Sequence, residues 1–377
     1  MRRKKHLTLE RLMQGCKRIA DPRRTWGNKR HELTTILAIV LLGIISGCES
    51  WEEIHDYGEM KKEWLGRLLP MPNGIPSEPT FRRVFARIAP EELEQAYRQW
   101  VYPYVGSCYR KQICVDGKTL RGASKNGDRK LHMVSAWVRE DRITLGQIKT
   151  NEKSNEITAI PELLNELDIR GGVVSIDAMG CQREIAKTII SRESNYLLAV
   201  KDNQPTMKEE IEAYFVWARA DATERTRLDH HTEISFAHGR TVRWRVFATK
   251  DTVWFEDKAN WKDLRTFVCV ERIRTQNGQT STQTAYYISS LEATAQTFLR
   301  LTRGHWSVEN QLHWLLDVAF REDHSLTHKD HAPQNLALLR KIALSLIRMD
   351  SSRKASVARK RRMAAYDDDF ALSIISH

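Results

Sequence analysis

The chain has 377 residues, 41% hydrophobic and 29% charged, values near the globular average that exclude wholesale disorder, a collagen-like repeat and a bundle of membrane spans. Its formal net charge is +12, and the excess lies at the ends: residues 1–30 hold eleven Lys/Arg and two acids (net +9), residues 340–362 nine Lys/Arg and one acid (net +8), and the body between is close to neutral. Basic ends on a neutral body suit a polyanion binder whose working site must itself contain carboxylates, although solvated surface charge produces the same arithmetic.

Met1 to Leu12 has a basic start but no following apolar stretch with a small-residue cleavage site, so secretion is not expected. Leu33–Gly47, the longest apolar run, is interrupted by Thr34, Thr35 and Ser46. It falls short of the roughly 20 residues a bilayer span needs and reads as a buried helix. Residues 7–100 read as mostly helical, broken by Pro70, Pro72, Gly74, Pro76 and Pro79. Thr80 is the expected N-cap of a helix with Phe81, Val84, Phe85 and Ile88 on one face and Arg82, Arg83 and Arg87 on the other. That basic face suits either DNA contact or plain solvation.

From Tyr109 the pattern turns to strands: KQICVDG, then LHMVSAWV and ITLGQIKT as a hairpin across REDR. A helix with Pro161 in its first turn and Ile160, Leu163, Leu164 and Leu167 along one side precedes VVSIDAMG, a buried strand ending at Asp177. A helix to about Arg192 and the strand YLLAVK follow, and this alternation implies a partly parallel sheet. Residues 217–300 return to strand-like runs (TVRWRVFA, FVCVERI, TAYYISSL), and helix is expected from about Thr302 to Phe320 and from Asn335 to Ile347. The expected domains are a helical DNA-binding region at 1–105, an α/β core begun at 106–216, a β-rich insertion at 217–300, core helices at 301–350 and a basic tail at 351–377. Six scattered cysteines with no C-x-x-C pair suit a reducing cytoplasm.

Two aspartates stand out, each closing an apolar strand and each followed by a small residue: Ile-Cys-Val-Asp116-Gly and Val-Ser-Ile-Asp177-Ala. If their strands are neighbours, the carboxylates converge at the sheet's rim, where their repulsion calls for a cation. Oxygen-only ligation points to Mg²⁺ or Mn²⁺. Either aspartate alone equally caps a following turn. In RGHWSVENQLHWLLDV, His305, Glu309, His313 and Asp317 recur every four residues and share one helix face, which is also the pattern of an ordinary solvated face. The His305–His313 spacing is not that of a zinc protease. Lys118 and Lys201 each lie just past an apolar strand run and are candidates for holding phosphate oxygens. Asn203 and Gln204 are placed to open the next helix.

The strings VDGKTLRGA, IKTNEKSNEITAIPELLNELDIRG, IDAMGCQ, YLLAVKDNQ, HGRTVR, YYISSL and HWSVENQLHWLLDV resemble the DDE transposases of bacterial insertion sequences, nearest the H-repeat-associated group, over roughly residues 10–350. The resemblance implies an α/β, ribonuclease H-like catalytic core with a β-rich insertion, preceded by a helical N-terminal domain. It implies an acidic triad of Asp116, Asp177 and Glu309 that would hold two Mg²⁺ ions, or Mn²⁺ in their place. It further implies cleavage at the element's terminal inverted repeats and strand transfer into target DNA, by a chain acting as a homodimer on double-stranded DNA, in the cytoplasm and with no membrane partner. Lys118, Lys201, Arg240, Arg303 and His305 are then the expected DNA contacts. Related DDE transposases often carry Tyr, Arg, Glu and Lys around the third acid. Here His305 stands where that Arg would be and Leu316 where that Lys would be. The rival readings are a domesticated DNA-binding protein without catalysis and a metal-dependent nuclease without strand transfer.

Overall fold

The computed structural model describes residues 9–23, 29–123, 131–150, 155–237 and 239–376. Its N-terminal third is helical, with α1 (Leu9–Cys16), α2 (Leu33–Ile45), α3 (Trp51–Met60), α4 (Lys62–Leu68), α5 (Glu78–Arg87) and α6 (Pro90–Val105). The sequence LTTILAIVLLGII has no polar stripe, so α2 is buried on almost every side. Among the described residues no helix is long and apolar enough to cross a membrane. A capping box, Ser50 with Glu53, opens α3. The predicted Thr80 cap is corrected: α5 starts at Glu78 behind Ser77, because Pro79 fits the first helical turn, where an amide donor is not needed.

The rest is built on one nine-stranded sheet ordered β3-β2-β1-β4-β5-β9-β8-β7-β6. Its first half comprises β1 (Gln112–Leu120), β2 (Leu131–Val138), β3 (Ile143–Thr150), β4 (Val173–Ile176) and β5 (Asn195–Val200). Strands β1 to β3 form an antiparallel meander, and β4 and β5 add parallel to β1. This is a ribonuclease H-like arrangement. Between them run α7 (Glu156–Asn165) and α8 (Arg183–Ser191). Helix α7 begins a full turn earlier than Pro161 suggests, and Pro161 lies inside it. The carbonyl that the missing amide leaves free belongs to exposed Ile157, where water can satisfy it.

After β5 come α9 (Pro205–Ala220) and α10 (Ala222–Arg227), then four antiparallel strands, β6 (Asp229–Ala237), β7 (Arg240–Thr249), β8 (Thr266–Gln276) and β9 (Gln279–Ser289). They join the first half edge to edge through β9 on β5, from Leu197 opposite Ser289 to Val200 opposite Tyr286. Because β9 begins seven residues before Tyr286, strands β7 to β9 run on past the end of β5 and stand as a wall beside the sheet's rim.

The chain closes with α11 (Ala295–His305), a π-helical turn at Glu309–His313, α12 (Trp314–Ala319), α13 (Ala332–Met349), α14 (Val357–Tyr366) and α15 (Asp368–Ile375). The expected single helix from Thr302 to Phe320 is corrected to α11, a break at Trp306, the π turn and α12. The expected basic tail is also corrected, since α14 and α15 fold back onto α2 and α13. Arg361 donates from Nε and Nη2 to the Ile44 carbonyl (3.0 and 2.9 Å), from Nη2 to that of Cys48 (3.3 Å) and from Nη1 to that of Ala319. Lys360 donates to the Ile347 carbonyl at 3.2 Å and to that of Asp350, whose carboxylate it also pairs with at 2.7 Å. These two cations occupy the carbonyl ends of α2 and α13, where a positive charge is favoured.

Candidate active site

The strand register brings the two aspartates level. Parallel pairing of β1 with β4 runs from Gln112 opposite Val173 to Val115 opposite Ile176, so Asp116 and Asp177 are the next residue on each chain. Asp116 is not at the end of β1, as its apolar run suggests. The strand continues to Leu120 because β2 keeps pairing with it, Asp116 opposite Ser135. What ends at Val115 is the parallel neighbour, which opens the rim on one side only.

Each aspartate holds one oxygen on nearby backbone. Asp116 Oδ1 accepts from the Gly117 amide at 2.9 Å, and Asp177 Oδ1 accepts from the Met179 amide at 3.1 Å, capping the short turn that follows. Gly117 is required here, because a Cβ would collide with the Glu156 carboxylate and the His132 ring, a buried pair 2.5 Å apart on that face of β1. Asn203 closes the base of the site. Its amide donates to the Ala178 carbonyl while its Oδ1 accepts from the Lys201 amide at 3.3 Å, tying the loop after β4 to the loop after β5. Gln204 takes the N-cap position of α9, and its side chain donates to the Cys181 carbonyl instead of capping.

The other face of β1 lies along the broken helix. Gln112 Nε2 donates to the Leu301 carbonyl at 2.7 Å, and Cys114 Sγ stands 3.7 Å from the Gly304 carbonyl. Asp116 Oδ2 lies 3.1 Å from His313 Nε2, and Lys118 pairs with Asp317. Gly304 permits this approach, since a Cβ there would strike Gln112 and Arg139. Burial pushes the Asp116 carboxyl up, but His313, with His305 and the Gly117 amide adding to it, outweighs that and leaves it below the usual carboxylate range.

The π turn separates side chains that a regular helix would stack. His305 turns inward to Ser175 (Nδ1 to Oγ, 3.1 Å). Burial lowers its pKa despite the pull of Asp116 and Asp177, and the ring, held on Ser175, also borders the neighbouring cleft. His313 faces Asp116, and exposed Glu309 lines a cleft of about 550 Å³ shared with Asp177, Lys201, Trp244, Arg303, His305 and Trp306. Such π turns recur at functional sites. Leu316 is fully buried (0% exposed), so no phosphate-binding lysine could stand at its position.

The remaining expected DNA contacts divide by their surroundings. Lys201 is exposed at the cleft with its ammonium 5.9 Å from the Trp306 ring centroid. Arg303 lines the cleft, pairs with Glu233 and lies 5.6 Å from the Trp244 ring. Lys118 is only 12% exposed and is held by Asp317, Glu322 (2.7 Å) and Asp323 (3.7 Å). It is an anchor for the helix end and leaves no open ammonium. Arg240 begins β7 opposite Gln276, four residues beyond Trp244 and outside the cleft lining. The row Trp244, Arg272 and Gln283, which pair across β7, β8 and β9, forms the cleft's far wall and was missed in the sequence. Its members span 39 residues of sequence, from Trp244 to Gln283, and only cross-strand pairing unites them. Among the described residues no three His, Cys, Asp or Glu side chains stand close enough to hold one ion. The oxygen-only donors and the level Asp116–Asp177 pair nonetheless fit a hard divalent cation.

A family model described as Transposase DDE domain matches residues 110–346, and a DDE_Tnp_1-associated model matches residues 13–101. The chain belongs to the DDE transposase family. Members of this family generally use divalent metal ions. From Escherichia coli K12, "H repeat-associated putative transposase YhhI" and "Putative protein YbfL" are each 35% identical to this chain, over 98% of it and 99% of theirs. "Putative transposase YncI" of E. coli O157:H7 is 34% identical over 98% of this chain and 95% of its own. A solved piggyBac transposase synaptic complex with hairpin DNA overlaps with a TM-score of 0.43 at 12% identity, covering 98% of this chain and 78% of that chain, too distant to carry weight.

Proposed function

We propose that this DDE-family chain cleaves DNA at the ends of its own mobile element and joins the freed 3′-hydroxyl to a target strand, with Asp116, Asp177 and Glu309 as its catalytic acids. The supporting observation is the register that sets Asp116 beside Asp177, with Glu309 lining the same cleft as Asp177. Of the four acids at or beyond the broken helix, Asp317, Glu322 and Asp323 all surround Lys118, which leaves Glu309 for the cleft. Two Mg²⁺ or Mn²⁺ ions held by the three acids would supply activation of the attacking oxygen and neutralisation of charge at the scissile phosphate. The backbone amides on Asp116 and Asp177 fix one oxygen of each, and His313 stands against the second oxygen of Asp116. Lys201 and Arg303 offer cations to the phosphates, and Trp306 and Trp244 offer faces against which a base can stack. Drawing Glu309 in beside the aspartate pair is a movement this reading requires. The chain would act as a homodimer on duplex DNA, in the cytoplasm.

A relative named "Inactive transposase YbfQ" aligns with only 22% of this chain, whereas the present chain retains all three acids. The test uses duplexes taken from the DNA on either side of the gene, where the element's ends would lie. In Mg²⁺, Asp116→Ala, Asp177→Ala and Glu309→Gln are each expected to lose cleavage and strand transfer while keeping affinity for the duplex, and chelation should do the same to the wild type. Asp317→Asn should retain appreciable activity. A folded Asp116→Ala or Asp177→Ala that cleaves at near wild-type rate removes the site assignment. An active Glu309→Gln beside a dead Asp317→Asn moves the third acid. Cleavage without joining of a pre-cut 3′ end assigns a nuclease instead.

A further inference from the structure

A second basic site lies in the helical N-terminal region. The segment at 29–31 and the start and outer face of α5 enclose a cleft of about 490 Å³ lined by Arg23, Lys29, Arg30, His31, Arg83 and Arg87, with no acid in its lining among the described residues. Asp21 pairs with Arg23 (2.7 Å) and Lys29 (3.4 Å) from outside it. Among the described residues no carboxylate pairs with Arg30, Arg83 or Arg87. The other arginine of this helix, Arg82, faces away and is neutralised by Glu52 and Glu78. Burial, with Arg23 and Arg30 beside it, lowers the pKa of His31. Helix α5 is bolted to the catalytic body: Asn335 of α13 donates to the Phe85 and Ile88 carbonyls at 3.0 Å each, and the His331 amide donates to that of Ala86 at 3.2 Å.

We propose that this cleft is a phosphate clamp for the backbone of duplex DNA, in which Arg30, Arg83 and Arg87 hold strand oxygens at a fixed distance from the catalytic cleft. Exposed guanidiniums without a carboxylate partner, gathered around one hollow, favour an anion there over water alone; Arg83 keeps its Nε on the Pro79 carbonyl at 3.0 Å, and the planar fork of arginine matches a phosphate. The rigid attachment through α13 gives the clamp a use that a solvated basic face lacks, because DNA held there is held in register with the acids. The inference rests on the reading of the chain as a DNA-acting protein.

The test measures binding of a fluorescent duplex by the full chain across a salt series. The Arg83→Gln/Arg87→Gln double variant is expected to weaken affinity about tenfold and to lower the slope of log affinity against log salt by about 1–2, at roughly 0.9 for each phosphate no longer neutralised. A second measurement needs no arginine variant. The His31 imidazole resonance, assigned with His31→Gln, should titrate at higher pH with duplex present, because phosphate offsets Arg23 and Arg30. Wild-type binding with unchanged affinity and slope in the double variant overturns the clamp and leaves the DNA reading standing, as does a His31 titration that duplex does not move. An equal His31 shift from inorganic phosphate at matched phosphate concentration assigns the cleft to a small anion and overturns the duplex clamp. A wild type that binds no duplex at low salt overturns both.

Discussion

The two basic ends of the chain carry almost equal charge, net +9 over residues 1–30 and +8 over 340–362, and a large part of it meets different surroundings at each. At the C-terminal end Arg353, Lys354, Arg359 and Arg362 are exposed, but Arg340, Lys341, Lys360 and Arg361 are buried, and Lys360 and Arg361 donate to backbone carbonyls at the ends of α13 and α2. At the N-terminal end Lys29 and Arg30 border an open cleft completed by Arg83 and Arg87 from elsewhere in the chain. A run of cations in sequence is therefore no measure of a nucleic-acid surface. What decides is whether helix ends or carboxylates have already taken the charge.

The largest effect should come from the buried end. Arg361→Met removes a fork that serves three carbonyl oxygens, and at roughly 1–3 kcal/mol for each buried acceptor left unpaired the loss should be about 4 kcal/mol. Lysine at this position should restore little of it, having no fork. Urea unfolding of the wild type and both variants checks the first half of the contrast. The second half requires that the salt slope of DNA binding stay unchanged in whichever variant still folds. A reduced slope would make Arg361 a DNA contact and break the comparison.

Next in size is Asp350→Asn, which takes its paired carboxylate from buried Lys360 and leaves it with carbonyl acceptors, and should cost about 3 kcal/mol, as breaking one side of a buried pair does. Burial raises the Asp350 carboxyl, but Lys360 and Ser352 outweigh it and hold it below the ordinary value. A depressed carboxyl contributes stability that is present above its unfolded-state value and lost as pH falls through its folded value. The wild type should therefore lose stability in acid more steeply than Asp350→Asn. Parallel acid limbs in the two proteins would remove the pair from the account of the C-terminal end.

The smallest effect sharpens the contrast inside one helix. Arg82→Gln breaks exposed pairs with Glu52 and Glu78 and should change stability by no more than about 0.5 kcal/mol. It should leave the DNA salt slope within error of wild type, unlike the Arg83→Gln/Arg87→Gln pair. Equal slope changes in both would show that α5 acts as a diffuse basic face with no clamp.

The hydrophobic patterns sufficed for much of the fold. The α2 helix, the β2–β3 hairpin, and the β4 and β5 strands follow directly from apolar runs and their breaks, because burial of such a run has few alternatives. The motif strings carried the family and proposed its acids. Element ends fared worse where proline misled, at Thr80 and at Pro161, since proline permits a helix start without requiring one.

The sequence by itself determined which segments must be buried and which residues have the chemistry for metal and phosphate. Only the tertiary structure decided which of those groups stand free to use it. Asp116 is level with Asp177 because the parallel register sets Val115 opposite Ile176, and it stands at an open rim because β4 stops pairing there while β2 continues, facts about neighbours that no strand states alone. Lys118 and Lys201 both follow apolar strand runs, yet one is enclosed by three acids and the other faces the cleft. His305, Glu309, His313 and Asp317 keep a four-residue spacing in the chain, but with the helix broken at Trp306 and a π turn at Glu309–His313, His313 and Asp317 meet Asp116 and Lys118 of β1 while Glu309 and an edge of His305 line the cleft. Spacing fixes a side chain's direction only while the helix stays regular, and the packing of partners far apart in sequence determines whether it does.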